Sequence, residues 1–177
     1  MFIKDKSLLS VAGAAKSVMA TKLKEDAEMQ KAGLVTMADK ALNDVFGVYL
    51  KAHTYHLNID GANFPQYHEL FKKVYEGVYD SVDAHAEHIR ILGGYVMLSP
   101  ATLARKSSVV EDTSTMLAPR EMLMNLNSEM AKLIREMKTL YAAAEAANEI
   151  GFSNFLQAKI EEFGKLNWMV ATTLKGV

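Results

Sequence analysis

Three prolines, Pro65, Pro100 and Pro119, are the only ones in 177 residues, and they constrain the chain more than any other feature. Proline removes a backbone donor and clashes with the preceding turn, so helices stop before it or start on it. Between the prolines lie long stretches of Ala, Leu, Met, Glu and Lys, all good helix formers. No strand-like alternation bounded by turn residues interrupts them, which makes the chain all-α. The spacing predicts a first long helix over 36–56, where Ala38, Leu42, Val45, Tyr49, His53 and His56 recur every three or four residues. "NIDGANFP" ends it, and Pro65 opens a second helix that reaches Leu92, where Gly93 and Gly94 supply a stop. A long connection follows, with a short helix expected inside "SPATLARKSSVVE". Pro119 starts a third long helix to about Asn148, Gly151 interrupts, and a fourth runs from Ser153 to Thr173.

Four long helices with one long crossover between the second and third match a ferritin-like bundle better than a simple up-and-down bundle. The length suits one domain, which buries roughly 70% of its unfolded surface and needs no staples. There is no cysteine, which excludes disulfides, thiolate metal sites and cysteine nucleophiles, and fits a reducing, cytoplasmic setting. No apolar run approaches the roughly 18 residues that span a bilayer, so no membrane partner is expected. "MFIKDKSLLSVAGAAKS" loosely resembles a signal peptide, but Ser10 and Gly13 break its apolar run and Asp5 precedes it. Residues 1–34 read as a separate arm or extra helix, and 35–177 as the four-helix domain. The net charge is −1, so nucleic-acid binding would need a local patch. Lys4, Lys6, Lys16, Lys22 and Lys24 on the arm, with little opposing charge before Glu25, offer one; a solvated tail is the plain alternative.

The second helix carries the chemistry. "DSVDAHAEH", residues 80–88, crowds acids and histidines together. His68, Lys72, Tyr79, Asp83 and Glu87 fall along one helical stripe, and Asp83 and Glu87, four apart, can reach one ion. His56 lies on the buried stripe of the first helix. The short loop pairs the two helices antiparallel, so His56 lies beside His68. His68 and Asp83 are separated by about 22 Å at about 1.5 Å rise per residue, so one chain cannot close the two histidines and two carboxylates on one ion. A second copy, related by a two-fold axis, would bring His68 of one chain to Asp83 and Glu87 of the other and make two equivalent sites. Nitrogen and carboxylate ligands without sulfur suit Fe(II), Mn(II) or Zn(II). Singly, each residue has a plainer role: Asp83 and Glu87 as a solvated face, His56 as a hydrogen-bonded core histidine. His85 and His88 point to other faces and are expected at the surface, and His53 is either a supporting group or an extra ligand.

These residues resemble the Dps family, the mini-ferritins called DNA-binding proteins from starved cells. "HLNIDGANFPQYHELF" is similar to the family's His-Trp-Asn-x-x-Gly-x-x-Phe-x-x-x-His-Glu run. "DSVDAHAEHIRILGG" is similar to its Asp-x-x-x-Glu-Arg-x-x-x-x-Gly-Gly run, and "LNWM" around Trp168 resembles its C-terminal helix. The resemblance implies a four-helix subunit, a hollow homododecamer and a ferroxidase site shared across a two-fold axis. His56 and His68 match the iron ligands of one subunit, Asp83 and Glu87 those of the other. It implies iron as the metal, hydrogen peroxide or oxygen as the oxidant, storage as ferric oxide and protection against oxidative damage. Acidic pore residues are implied near the start of the fourth helix, where Glu145 and Glu149 lie. Two positions depart from the family. Lys72 stands where a further carboxylate is usual; it cannot coordinate while protonated and can pair with Glu76. Leu57 stands where the family has tryptophan, and Tyr55, Tyr75 or Tyr79 are the rings available in its place. Lys72 supports a rival reading, a structural or DNA-compacting shell with impaired ferroxidase activity; a bundle without a cage is the third.

Overall fold

The computed structural model describes residues 6–176; Lys4 of the arm lies outside them. Among the described residues six helices follow one another: α1 (Lys6–Asn58), α2 (Phe64–Tyr79), α3 (Val82–Ile91), α4 (Pro100–Lys106), α5 (Pro119–Ala146) and α6 (Ile150–Leu174). Four rods make the bundle. They are the C-terminal half of α1, the α2–α3 pair, α5 and α6, with α1 packed on α2, α3 and α5, and α6 packed on α5 and α2. The short α4 rides on the crossover between α3 and α5 and packs on α1. The all-α class and the crossover are as the sequence predicts. Among the described residues no helix is long and apolar enough to cross a membrane.

α1 is far longer than its expected 36–56. Its 53 residues extend about 80 Å at about 1.5 Å per residue. Residues 16–33 are exposed throughout, and burial sets in at Leu34 after them. A buried stripe is what periodicity detects, so the free half leaves no such mark; its helix rests on composition and the lack of proline.

The second rod departs from one continuous helix and breaks at Asp80–Ser81. The Ser81 hydroxyl, fully buried, donates to the Val78 carbonyl at 2.7 Å, and the Ser81 amide bonds the same carbonyl at 3.2 Å. This tightens the turn, as serine does when it competes for backbone groups. The break puts Asp83 in the first turn of α3, where a carboxylate suits the helix dipole. Gly93 ends the rod with φ +87, and a Cβ on Gly94 would meet Val35 on α1 at 2.5 Å. The turn between α5 and α6 is made by Asn148 at φ 58, while Gly151 lies inside α6. Asparagine tolerates the left-handed region almost as glycine does, so the interruption falls three residues earlier than glycine suggests.

The core is a continuous cluster that includes Leu42, Val45, Phe71, Val78, Ile89, Leu126, Met130, Leu140, Leu156 and Phe163. The crossover after α4 has no regular structure of its own and is fastened by a buried acid, Asp44, and a half-buried one, Asp112. Asp44 accepts the Ser108 amide at 2.5 Å, the Ser107 hydroxyl at 3.0 Å and the Lys40 ammonium at 2.6 Å, and Lys40 also reaches Glu136 at 2.8 Å. Further along, Asp112 accepts from Lys51 and the Tyr55 hydroxyl, both at 2.5 Å, and from Asn125 at 3.0 Å. These bonds satisfy the backbone and charges that the crossover buries.

Candidate metal centre

His56, in the last turn of α1, and His68, in the second turn of α2, face each other across the loop 59–63. Their rings stack with centroids 3.6 Å apart. Each Nδ1 lies 2.8 Å from the other residue's carbonyl oxygen. A carbonyl only accepts, so each Nδ1 carries the hydrogen. In a neutral imidazole that leaves each Nε2 with a free lone pair, the form a metal ligand needs. Neither Nε2 has a hydrogen-bond partner among the described residues. The sequence places these two histidines side by side, and the structure does the same, with the backbone of one fixing the ring of the other.

Aromatic rings surround the pair. Phe64 lies 4.8 Å from His68, and Tyr75 meets His56 edge-on at 5.2 Å. His53, one turn before His56, stacks on Tyr75 at 4.4 Å. Tyr49 then lies 5.6 Å from His53, 6.3 Å from Tyr75 and 4.9 Å from Tyr79. Tyr75 and Tyr79 share the histidine side of the rods, whereas Tyr55 faces the core. There burial, and then the Asp112 carboxylate, push its phenol pKa well up. Leu57 is exposed and brings no ring to the site. Tyr49 and His53 were legible in the α1 stripe, but their stacking on α2 was not.

Asp83 and Glu87 lie one turn apart on α3, both exposed. Among the described residues no group of three or more His, Asp or Glu gathers as a metal site. The histidine pair and the carboxylate pair are therefore separate within one chain. Lys72, half-exposed, lies 3.8 Å from Glu76, the i, i+4 partner expected for it. Of the pore candidates, Glu149 pairs with Lys31 at 3.5 Å and Glu145 accepts from Tyr141 at 2.6 Å.

His85 corrects an expectation. It is fully buried, not at the surface, and packs edge-on to Phe155 at 5.5 Å and Phe152 at 6.1 Å. Neither ring nitrogen has a partner. Burial, and then His88, push its pKa down to about 4. His88 is half-buried against Phe155 at 4.6 Å. The helical wheel is right that both face away from Asp83 and Glu87. It fails because α6 covers that other face with two phenylalanines.

The sequence profile of the ferritin-like domain family matches residues 37–177. The chain is 26% identical over 148 residues to a low temperature-induced protein of a Nostoc species, covering 83% of each. It is 27% identical over 128 residues to the DNA protection during starvation protein of Brevibacillus brevis, covering 72% of this chain and 85% of that one. Its fold is similar to the crystal structure of a Vibrio cholerae Dps protein, described as a member of a broad superfamily of ferritin-like diiron-carboxylate proteins. The TM-score is 0.78 at 24% identity, covering 83% of this chain and 92% of that one.

Proposed function

Because the chain belongs to the Dps family of the ferritin-like superfamily, we propose that it binds, oxidises and stores iron, and so protects against oxidative damage. Ferrous ion is the substrate. Hydrogen peroxide, or oxygen, is the oxidant, and ferric oxide held inside a homododecamer is the product. Each site takes His56 and His68 from one subunit and Asp83 and Glu87 from its two-fold mate. The observation that carries this reading is the histidine pair: two rings locked by each other's main chain, each with a free Nε2, and no carboxylate among the described residues of the same chain to complete them. Two nitrogens and two carboxylates make a ligand set suited to Fe(II).

Lys72 shapes the chemistry. A second ferrous ion beside the first needs added anionic ligands, and Lys72 adds a positive charge instead. At about 4 Å two unit charges interact by roughly 4 kcal/mol at an effective dielectric of 20. A fraction of that, about 1.4 kcal/mol, is a tenfold loss of affinity. One tightly held iron per site follows, with slow first oxidation. The same lysine supports a second reading, a shell that compacts DNA through the exposed lysines of α1 and oxidises iron poorly. Anaerobic Fe(II) titration followed by peroxide separates the two. Tight binding and peroxide consumption that both vanish in His56→Ala/His68→Ala support the ferroxidase. Weak binding and little peroxide consumption in the parent itself, with DNA retained at low salt, support the shell.

A further inference from the structure

Resting on the ferroxidase reading, we infer that Tyr75 supplies the second electron of peroxide reduction, standing in for the iron that Lys72 excludes, and that Tyr49 and Tyr79 carry the oxidised equivalent away. Cleaving the O–O bond of hydrogen peroxide to water takes two electrons. A site holding one ferrous ion supplies one. Unless another donor is close, the remaining oxidising equivalent leaves as hydroxyl radical. The step balances with one phenol: the ferrous ion becomes ferric and the Tyr75 phenol becomes a phenoxyl radical. The O–O bond breaks, and the phenol proton and one solvent proton complete two water molecules.

The placement of the rings selects Tyr75. It is the tyrosine in contact with His56, edge-on at 5.2 Å, and it also stacks on His53 at 4.4 Å. From it the rings continue without a gap: Tyr75 to Tyr49 at 6.3 Å, and Tyr49 to Tyr79 at 4.9 Å. Tyr79 is 52% exposed, so the path runs from the histidine pair to the surface. Contacts at these separations are ordinary aromatic packing, and the same overlap lets an electron step from ring to ring. Tyr55 has no such route. Its neighbours are Phe71 at 5.6 Å and the Lys51–Asp112 pair on the core side. Leu57, exposed and aliphatic, has no electron to give.

The test uses the assembled full-length protein, loaded anaerobically with limiting ferrous ion and given hydrogen peroxide in rapid-freeze samples. The expected result is one ferrous ion oxidised per peroxide in the first turnover, with a tyrosyl radical signal that narrows when the protein carries ring-deuterated tyrosine. In Tyr75→Phe the signal is lost and a spin trap collects hydroxyl radical, while Tyr55→Phe behaves as the parent. The labelling arm needs no substitution, so a Tyr75 variant that fails to fold leaves the radical itself measurable. Two ferrous ions oxidised per peroxide with no radical would overturn the inference and leave the ferroxidase standing. An undiminished radical in folded Tyr75→Phe would overturn the role of Tyr75. No peroxide-driven oxidation at all would sink the ferroxidase reading and this inference together.

Discussion

Two groups of charged and polar residues share α1 and behave in opposite ways. Around Asp112 and Asp44 each principal charge is matched: Lys51, Tyr55 and Asn125 on the first, Lys40, Ser107 and Ser108 on the second. Around His56 and His68 the bonding stops halfway, with each Nδ1 engaged and each Nε2 left open, and Asp83 and Glu87 stand exposed on another helix. A cluster that is complete within one chain holds the crossover in place. On the proposed function, the cluster left incomplete within one chain is a site to be completed by an ion and a second copy. Stability should therefore follow the first group, and metal binding the second.

The largest expected effect is at Asp112. Its removal in Asp112→Ala leaves the Lys51 ammonium, whose side chain is only 5% exposed, buried beside a phenol. Uncompensated buried charge of this kind costs about 3–5 kcal/mol. Chemical denaturation should show that loss, and Lys51→Met/Asp112→Leu should cost less than Asp112→Ala alone. Equal costs would mean the pair is not the fastening.

Asp44 should show the same logic as a pH dependence. Burial opposes its charge, but the Glu136 carboxyl, Lys40 and the Ser108 amide together hold its pKa below the usual value. A carboxyl shifted down contributes stability that is present above its unfolded pKa, about 3.8, and is lost as pH falls through the folded value. Glu136 is shifted up by burial and then by Asp44; its own contribution is present at acid pH and fades as pH rises. Asp44→Ala should therefore be destabilised by about 2 kcal/mol at neutral pH, with the gap to the parent narrowing below about pH 4. A gap that does not change with pH would contradict this.

The smallest effect concerns Lys72, at the edge of the incomplete cluster. Lys72→Asp should tighten a second ferrous ion by about tenfold or more and speed oxidation, read by anaerobic calorimetry and stopped-flow absorbance. Stability should barely move, because the Lys72–Glu76 pair is exposed and such pairs contribute about 0.5 kcal/mol. Two tight irons per site in the parent would remove the reason for this prediction.

These contrasts mark where the sequence was legible. The α1 stripe, Pro119 and the Gly93–Gly94 stop located the bundle, because a helix with one buried face writes its period into the chain. Residues 16–33 left no such period, being exposed throughout, so the chain there read only as an arm or an extra helix, and its continuity with α1 went unread. Ser81 and Asn148 shape their turns by bonds and dihedrals that periodicity does not record. The adjacency of His56 and His68 was legible because only a short loop separates them. The fastening of Tyr55 to Asp112 was not, since 57 positions separate them, and no local pattern couples them. His85 was misplaced because what covers it comes from α6, far along the chain. Asp83 and Glu87 belong to neither case: their partner, on this account, lies outside the chain altogether.

The measurement that tests this most directly mixes two inactive proteins. His56→Ala/His68→Ala keeps the carboxylates, and Asp83→Ala/Glu87→Ala keeps the histidines. Dissociated, mixed and reassembled, they should form hybrid two-fold pairs in which one of the two sites has its full ligand set. Statistical mixing then predicts that Fe(II) binding and peroxide consumption recover to about one quarter of the parent's, half of the pairs being hybrid with half of their sites intact. No recovery in oligomers proven to contain both chains would contradict a site shared between subunits.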